Sequence, residues 1–285
     1  MTEHNTKADK EIVLDFLRRA IAEHDPVAVR ELVAAGFVEH SPGLPQDRQA
    51  LEEQVRSRGP KPGAETGEPE FVVAEDGLVT VCFYVPQPEP EAPEESYDYF
   101  SFDTYRVRDG LIAEHWSNFN KIAPLPLELL DGPARRPVTP EPGASSAELA
   151  DRKQLVTDLY RCVFDAMNPD AIKDIVADDY TQHARWRAEQ GRVGLETFVR
   201  GLFRTVQPKP VQPEVMNKPT ILMAEGDIVI YAQPRPQPEP DDESKTYIYL
   251  VFDAFRVRDG LLAEHWSGIN KIAPPKPPKM PPMPK

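Results

Sequence analysis

Arg106-Val107-Arg108-Asp109-Gly110-Leu111-Ile112-Ala113-Glu114-His115-Trp116-Ser117 returns, with one change, as Arg256-Val257-Arg258-Asp259-Gly260-Leu261-Leu262-Ala263-Glu264-His265-Trp266-Ser267. Asn-Lys-Ile-Ala-Pro follows in both places, at Asn120 to Pro124 and Asn270 to Pro274. The period is about half of the chain, far longer than a solenoid repeat, so each copy is a whole domain. Within the motif, Asp-Gly between two alternating runs predicts a two-residue hairpin.

Working outward, each copy carries the same order of patterns. Ala8 to Glu23 places Ile12, Phe16, Leu17, Ala20 and Ile21 at helical spacing, and Asp25-Pro26 ends that helix and starts a second. Phe37-Val38-Glu39-His40 is a short extended segment, and Gln46 to Arg58 a third helix. Period two then takes over in Glu70 to Ala74, Leu78 to Val85, Tyr97 to Arg108 and Leu111 to Asn120. The second copy repeats helices around Leu155–Phe164, Ile172–Val176 and Leu195–Val199, then strands to Asn270. Helices followed by a meander, twice, predict an α+β protein of two tandem domains. The expected limits are 1–123 for the first domain, 124–146 for a Pro-rich linker and 147–273 for the second domain. Residues 274–285 form a Pro/Lys tail expected to be extended and disordered. Each copy also holds a Pro/Glu insert, Pro86 to Glu95 and Pro234 to Glu243, expected as a loop because proline cannot donate to a ladder.

Composition limits the function. Of the 285 residues, 33 are Lys or Arg and 47 Asp or Glu, a formal charge of −14. Such a surface repels phosphate backbones and anionic membranes, which argues against nucleic acid and membrane partners. The polar N-terminus lacks a secretory signal, and the two cysteines, Cys82 and Cys162, sit at non-equivalent places. Unpaired thiols of that kind suit a reducing compartment, so a cytoplasmic location is expected.

Counting pairs outward from Asp109-Gly110 sorts the side chains. Thr104 then faces His115, Phe102 faces Ser117 and Phe100 faces Phe119, all on one sheet face. Asp103, Tyr105, Glu114 and Trp116 take the other. The second copy divides likewise, with His265, Ser267 and Phe252 against Asp253, Glu264 and Trp266. The apolar face with its single imidazole is expected to meet the helices and line a cavity. The Trp face is left to meet the sister domain, and Asp103 and Asp253 are read as outward. A bulge would invert part of this assignment.

The order helix–helix–Phe37-x-x-His40–helix, with a meander ending in Phe102-Asp103-Thr104-Tyr105-Arg106-Val107 through Trp116, resembles the SnoaL-like proteins of the nuclear transport factor 2-like superfamily. Tyr180-x-x-His183 and Phe252-Asp253-Ala254-Phe255-Arg256-Val257 through Trp266 carry the same likeness in the second half. The resemblance implies two cone-shaped domains, each with about three N-terminal helices and a curved antiparallel sheet around an apolar pocket. It also implies cofactor-independent acid/base chemistry, as in polyketide cyclases. The family's carboxylate directly after Glu-His-Trp is replaced here by Ser117 and Ser267. Serine exchanges no proton with a carbon acid near neutral pH, so the imidazoles become the candidates.

His115 and His265, assisted by His40 and His183, are therefore the expected acid/base groups of a cyclase, isomerase or hydrolase acting on a small apolar oxygenated metabolite. Ser117, Ser267, Phe102, Phe252, Phe119 and Trp186 are the expected substrate contacts. No cofactor is expected. Nor is a metal, since no third ligand falls on the inferred inner face. The second reading is a binding protein that uses the same pockets without chemistry. Fusion turns domain pairing into an intramolecular event, giving a monomer with internal pseudo-symmetry or a homodimer of such monomers.

Overall fold

A computed structural model describes residues 6–122, 137–185 and 188–271. Most of the expected linker, the whole expected tail and Trp186 lie outside the described residues.

Each half opens on a helix that widens as it proceeds. α1 (Thr6–Phe16) continues as a π-helical stretch over Leu17–Ala22, and α4 (Ser146–Asp158) does so over Leu159–Asp165. Wide turns of this kind are uncommon and tend to mark functional sites. They end in the αR region at Glu23 and Ala166. In the first half Asp25 then accepts the Val27 N–H and Pro26 takes the first position of α2 (Pro26–Leu32). Asn168 and Pro169 do the same for the 3-10 turn Pro169–Asp174. A missing proline N–H costs nothing there.

β1 (Val33–Glu39) leads through a loop to α3 (Arg48–Ser57) and a meander of β2 (Phe71–Glu75), β3 (Leu78–Tyr84), β6 (Phe100–Arg108) and β7 (Leu111–Ser117). A two-residue pair, β4 (Gln87–Pro88) with β5 (Ser96–Tyr97), closes the insert. The second half holds β8 (Val176–Gln182), α5 (Gly191–Leu202), β9 (Ile221–Glu225), β10 (Ile228–Glu239), β11 (Asp242–Arg258) and β12 (Leu261–Ser267). The sheets have the orders β1-β7-β6-β3-β2 and β8-β12-β11-β10-β9, antiparallel except for the first strand of each, which runs parallel to the last.

Asp109 and Gly110 both take positive φ, 50° and 76°, as a tight primed turn requires. Pairing starts as expected with Arg108 opposite Leu111, then slips between Arg106 and Val107. Ile112 faces Val107 and Glu114 faces Arg106, so Ala113 is a bulge. The same slip lies between Arg256 and Val257. One extra residue reverses the facing of everything beyond it. His115 therefore stands opposite Tyr105, and Ser117 opposite Asp103. Asp103 and Tyr105 lie on the inner face, not the outer one, while Phe100, Phe102 and Thr104 turn away from the helices.

The second insert also differs from expectation. β10 runs through Pro234, Pro236 and Pro238, pairing them with Leu250, Ile248 and Thr246 of β11. Backbone N–H groups alternate in direction along a strand, so three prolines at every second position lack a donor toward the same edge. That edge is open, because β9 stops at Ile221 opposite Ala232. Prolines spaced by two are compatible with an edge strand.

Three of the apolar clusters among the described residues follow from this facing. One lies between helices and sheet in each half. The third lies between the sheets and draws on both halves, with Phe71, Phe102 and Trp116 against Met223, Phe252 and Trp266. Phe102 and Phe252, equivalent in the repeat, stack at 5.6 Å with an interplanar angle of 16°. Such a self-complementary contact follows a twofold relation. Polar groups repeat it. Glu75 accepts Lys153 and the Ala224 N–H, and Glu225 accepts Lys10 and the Ala74 N–H. Lys121 bonds Glu239, and Lys271 bonds Glu89.

The described end of the linker is docked to both halves. Val138 donates its N–H to the Glu70 carbonyl at 2.6 Å, and the Glu141 N–H donates to Asp227 at 2.8 Å. Gly226 (φ 54°) makes this approach possible, since a Cβ there would lie 2.0 Å from the Glu141 carbonyl oxygen. Gly226→Ala is expected to destabilise the chain by ~1–3 kcal/mol, read as a lower denaturant midpoint.

Candidate functional site

The inner face of the first sheet and the wide turn of its helix enclose a cavity of about 340 Å³. Its walls are mostly apolar, with Leu17, Ile21, Leu51 and Phe119 among them. Three ionisable groups meet on one side. β1 runs beside β7 with Glu39 opposite His115, which puts Glu39 on the ring's face. Its Oε2 lies 2.6 Å from His115 Nδ1, and its Oε1 accepts the Ser41 N–H at 2.8 Å. On the other side His115 Nε2 lies 3.1 Å from Asp103 Oδ1. Tyr105 stacks on the ring at 4.5 Å.

With a carboxylate at each nitrogen, His115 is an imidazolium. Burial opposes its charge, but the Glu39 charge and hydrogen bonds to Asp103 and Glu39 outweigh that and lift its pKa to about 10. A ring so strongly protonated is no base at neutral pH. The carboxylate most open to the cavity is Asp103, whose side chain is 18% exposed against 4% for Glu39. Asp103 Oδ2 has no partner among the described residues. Directly across the strand pair, Ser117 Oγ accepts the Phe119 N–H at 3.1 Å, leaving its own proton available toward the cavity.

The second half repeats this frame with different chemistry. Its cavity, about 370 Å³, contains Asp253, His265 and, in place of Glu39, Gln182. The Gln182 Oε1 accepts the Ala184 N–H at 3.3 Å, which aims its NH₂ at His265 Nδ1, 2.9 Å away. Nδ1 is thus an acceptor, and the Nε2 proton points at Asp253 Oδ1, 2.8 Å distant. Tyr160, standing where the first half has Leu17, donates its hydroxyl to Asp253 Oδ2 at 2.7 Å. Both oxygens of Asp253 are engaged, and its side chain is 6% exposed.

The residues expected at the site are partly regrouped. His115, His265, Ser117 and Phe119 line the cavities. Ser267 is fully buried and is not among the lining residues. Phe102 and Phe252 sit in the seam between sheets because the bulge turned their strand over. His40 and His183 follow Glu39 and Gln182 by one residue, so alternation carries them to the opposite face. There His40 stacks on Trp116 at 4.4 Å and bonds Glu114, and His183 stacks on Trp266 at 4.3 Å and bonds Glu264. Glu264 is held down to about 2 by the His183 hydrogen bond, which with Arg256 exceeds the opposing effect of burial. Trp186 lies outside the described residues.

Glu39, Gln182 and Tyr160 were not singled out from sequence. Alternation across the parallel β1–β7 pair marks the first two, since the residue beside a cavity-facing His must share its face. The expectation that no carboxylate falls on the inner face is overturned by Asp103 and Glu39. Both His115 nitrogens are already engaged by them. Among the described residues, no group of three or more His, Cys, Asp or Glu is arranged to hold a metal ion.

The SnoaL-like domain matches this chain in two segments, residues 13–115 and 156–265. The chain is a tandem SnoaL-like protein. Solved structures similar to one half of the tandem SnoaL-like protein include a candidate polyketide cyclase from Acidithiobacillus ferrooxidans, 19% identical over 41% of this chain and 86% of that one, TM-score 0.31. An LEH-like epoxide hydrolase from M. tuberculosis is 15% identical over 42% of this chain and 83% of that one, TM-score 0.31. TsrD from Streptomyces laurentii is 14% identical over 40% of this chain and 90% of that one, TM-score 0.29. No curated protein matches the chain in sequence. Among the described residues, no helix is long and apolar enough to cross a membrane.

Proposed function

We propose that the tandem SnoaL-like protein is a cofactor-independent enzyme that moves a proton on a small, apolar, oxygenated molecule, in the manner of a cyclase or isomerase. The N-terminal cavity is the reaction chamber. One observation carries this reading: Asp103 offers one carboxylate oxygen to an apolar cavity while the His115 imidazolium holds the other.

In this scheme Asp103 Oδ2 takes a proton from a carbon next to a carbonyl. The electron pair left behind moves onto the carbonyl oxygen, where the Ser117 hydroxyl donates a hydrogen bond. His115 orients the carboxylate without surrendering its own proton, and Glu39 fixes His115. The family carboxylate missing after Trp116 is thus supplied from the neighbouring strand, opposite the serine that replaced it. Asp103 then returns that proton to another atom of the enolate, completing an isomerisation, or to the alkoxide formed when the enolate attacks a second carbonyl, completing an aldol ring closure. A polyketide-like substrate, apolar and rich in ketones, suits such a chamber. Water activation by the same carboxylate is the hydrolytic variant.

The test uses 2-tetralone, an apolar ketone with an acidic C–H, in D₂O. The full chain is expected to accelerate deuterium uptake at the α-carbon, followed by NMR. Uptake no faster than with the same concentration of acetate would overturn the proposal.

A further inference from the structure

The C-terminal cavity departs from its twin at a third lining position. Strand register makes Gln233 the counterpart of Phe83: Gln233 faces Val251 and Phe83 faces Ser101. Phe83 is core, whereas Gln233 lines the cavity, 6% exposed, with no partner for its side-chain amide among the described residues. The Gln233 amide offers its NH₂ as donor and its oxygen as acceptor to whatever occupies the space. Meanwhile the groups that would do chemistry are closed off. Tyr160 and His265 take both oxygens of Asp253, and Gln182 supplies no charge to the imidazole.

We propose that the C-terminal cavity is a binding site, and not a reaction chamber, for an uncharged apolar molecule bearing a carbonyl or amide group that the Gln233 amide recognises. Asp253 and Asp165 in the lining oppose an anion in the interior, and the cation of the lining, Arg235, is an exposed residue. The inference stands apart from the reading of the N-terminal cavity and survives if that reading fails.

The probe is 2-acetonaphthone, with 2-ethylnaphthalene as the control that lacks the carbonyl. Binding is titrated by ligand fluorescence to the full chain carrying Asp103→Asn and Leu17→Trp, which silences and fills the N-terminal cavity. The ketone is expected to bind at least tenfold more tightly than the hydrocarbon. Gln233→Met, which keeps the volume and removes the hydrogen bonds, is expected to erase that preference by weakening the ketone alone. Equal affinity for the two probes, no binding of the ketone, or a preference that persists in Gln233→Met each overturns the proposal. The first comparison needs no change at Gln233, so it holds even if that variant fails to fold.

Discussion

Asp103→Asn is expected to slow deuterium uptake by 2-tetralone about 10³-fold while leaving the fold in place. General-base catalysis contributes roughly 10²–10⁴-fold, and an amide cannot take a proton from carbon near neutral pH. The substitution preserves shape, and the amide oxygen can still accept the His115 Nε2–H, so packing around Tyr105 and His115 should persist. The far-ultraviolet circular dichroism spectrum and the denaturant midpoint report on that separately. A variant that stays folded and retains the parent's rate would remove Asp103 from the reaction.

Glu39→Gln converts the first half to the arrangement of the second and is expected to strip His115 of its extra proton. An amide oriented by the Ser41 N–H, as Gln182 is by the Ala184 N–H, must point its NH₂ at Nδ1. That nitrogen can then no longer carry hydrogen. The His115 titration, followed by ¹⁵N chemical shifts of the ring, should fall from about 10 to neutrality or below. Stability follows with a definite sign. A histidine whose folded pKa is raised adds stability that is fully present below about 6.5, the unfolded value, and is lost as pH rises through the folded value. The parent should therefore lose stability between about pH 6.5 and pH 10, and Glu39→Gln should lack that slope. An unchanged titration, or parallel stability profiles, would contradict the ion-paired assignment.

The tandem architecture was plain in the sequence because the repeat spans a hairpin whose turn residues are specific. The helix start at Asp25-Pro26 was legible for the same reason: capping chemistry is local. The inner face was only half legible. Alternation along β7 correctly groups His115 with Ser117, but a bulge at Ala113 has no compositional mark, and counting across it inverted β6. That single step moved Asp103 inward and sent Phe102 to the seam. His40 was grouped with His115 by shared chemistry, whereas one-residue alternation along β1 separates them and brings Glu39 forward instead. Pairing between distant strands was the missing information. The Pro-rich second insert misled for a different reason, since proline disfavours a ladder only where its absent donor would have been used.

The reciprocal packing of the sheets has a consequence for how the halves can diverge. Phe102 stacks on Phe252, Phe71 meets Trp266, and Glu75 and Glu225 each hold a lysine and a backbone N–H of the opposite half, so a change on either side exposes apolar surface or strands a charge on the other. The cavities carry no such mutual obligation. Leu17 and Tyr160, Glu39 and Gln182, and Phe83 and Gln233 differ at equivalent positions while the shared wall is the same in both halves. A covalent tether supplies both copies in equal amount, so one can give up turnover and still be retained as scaffolding for its neighbour.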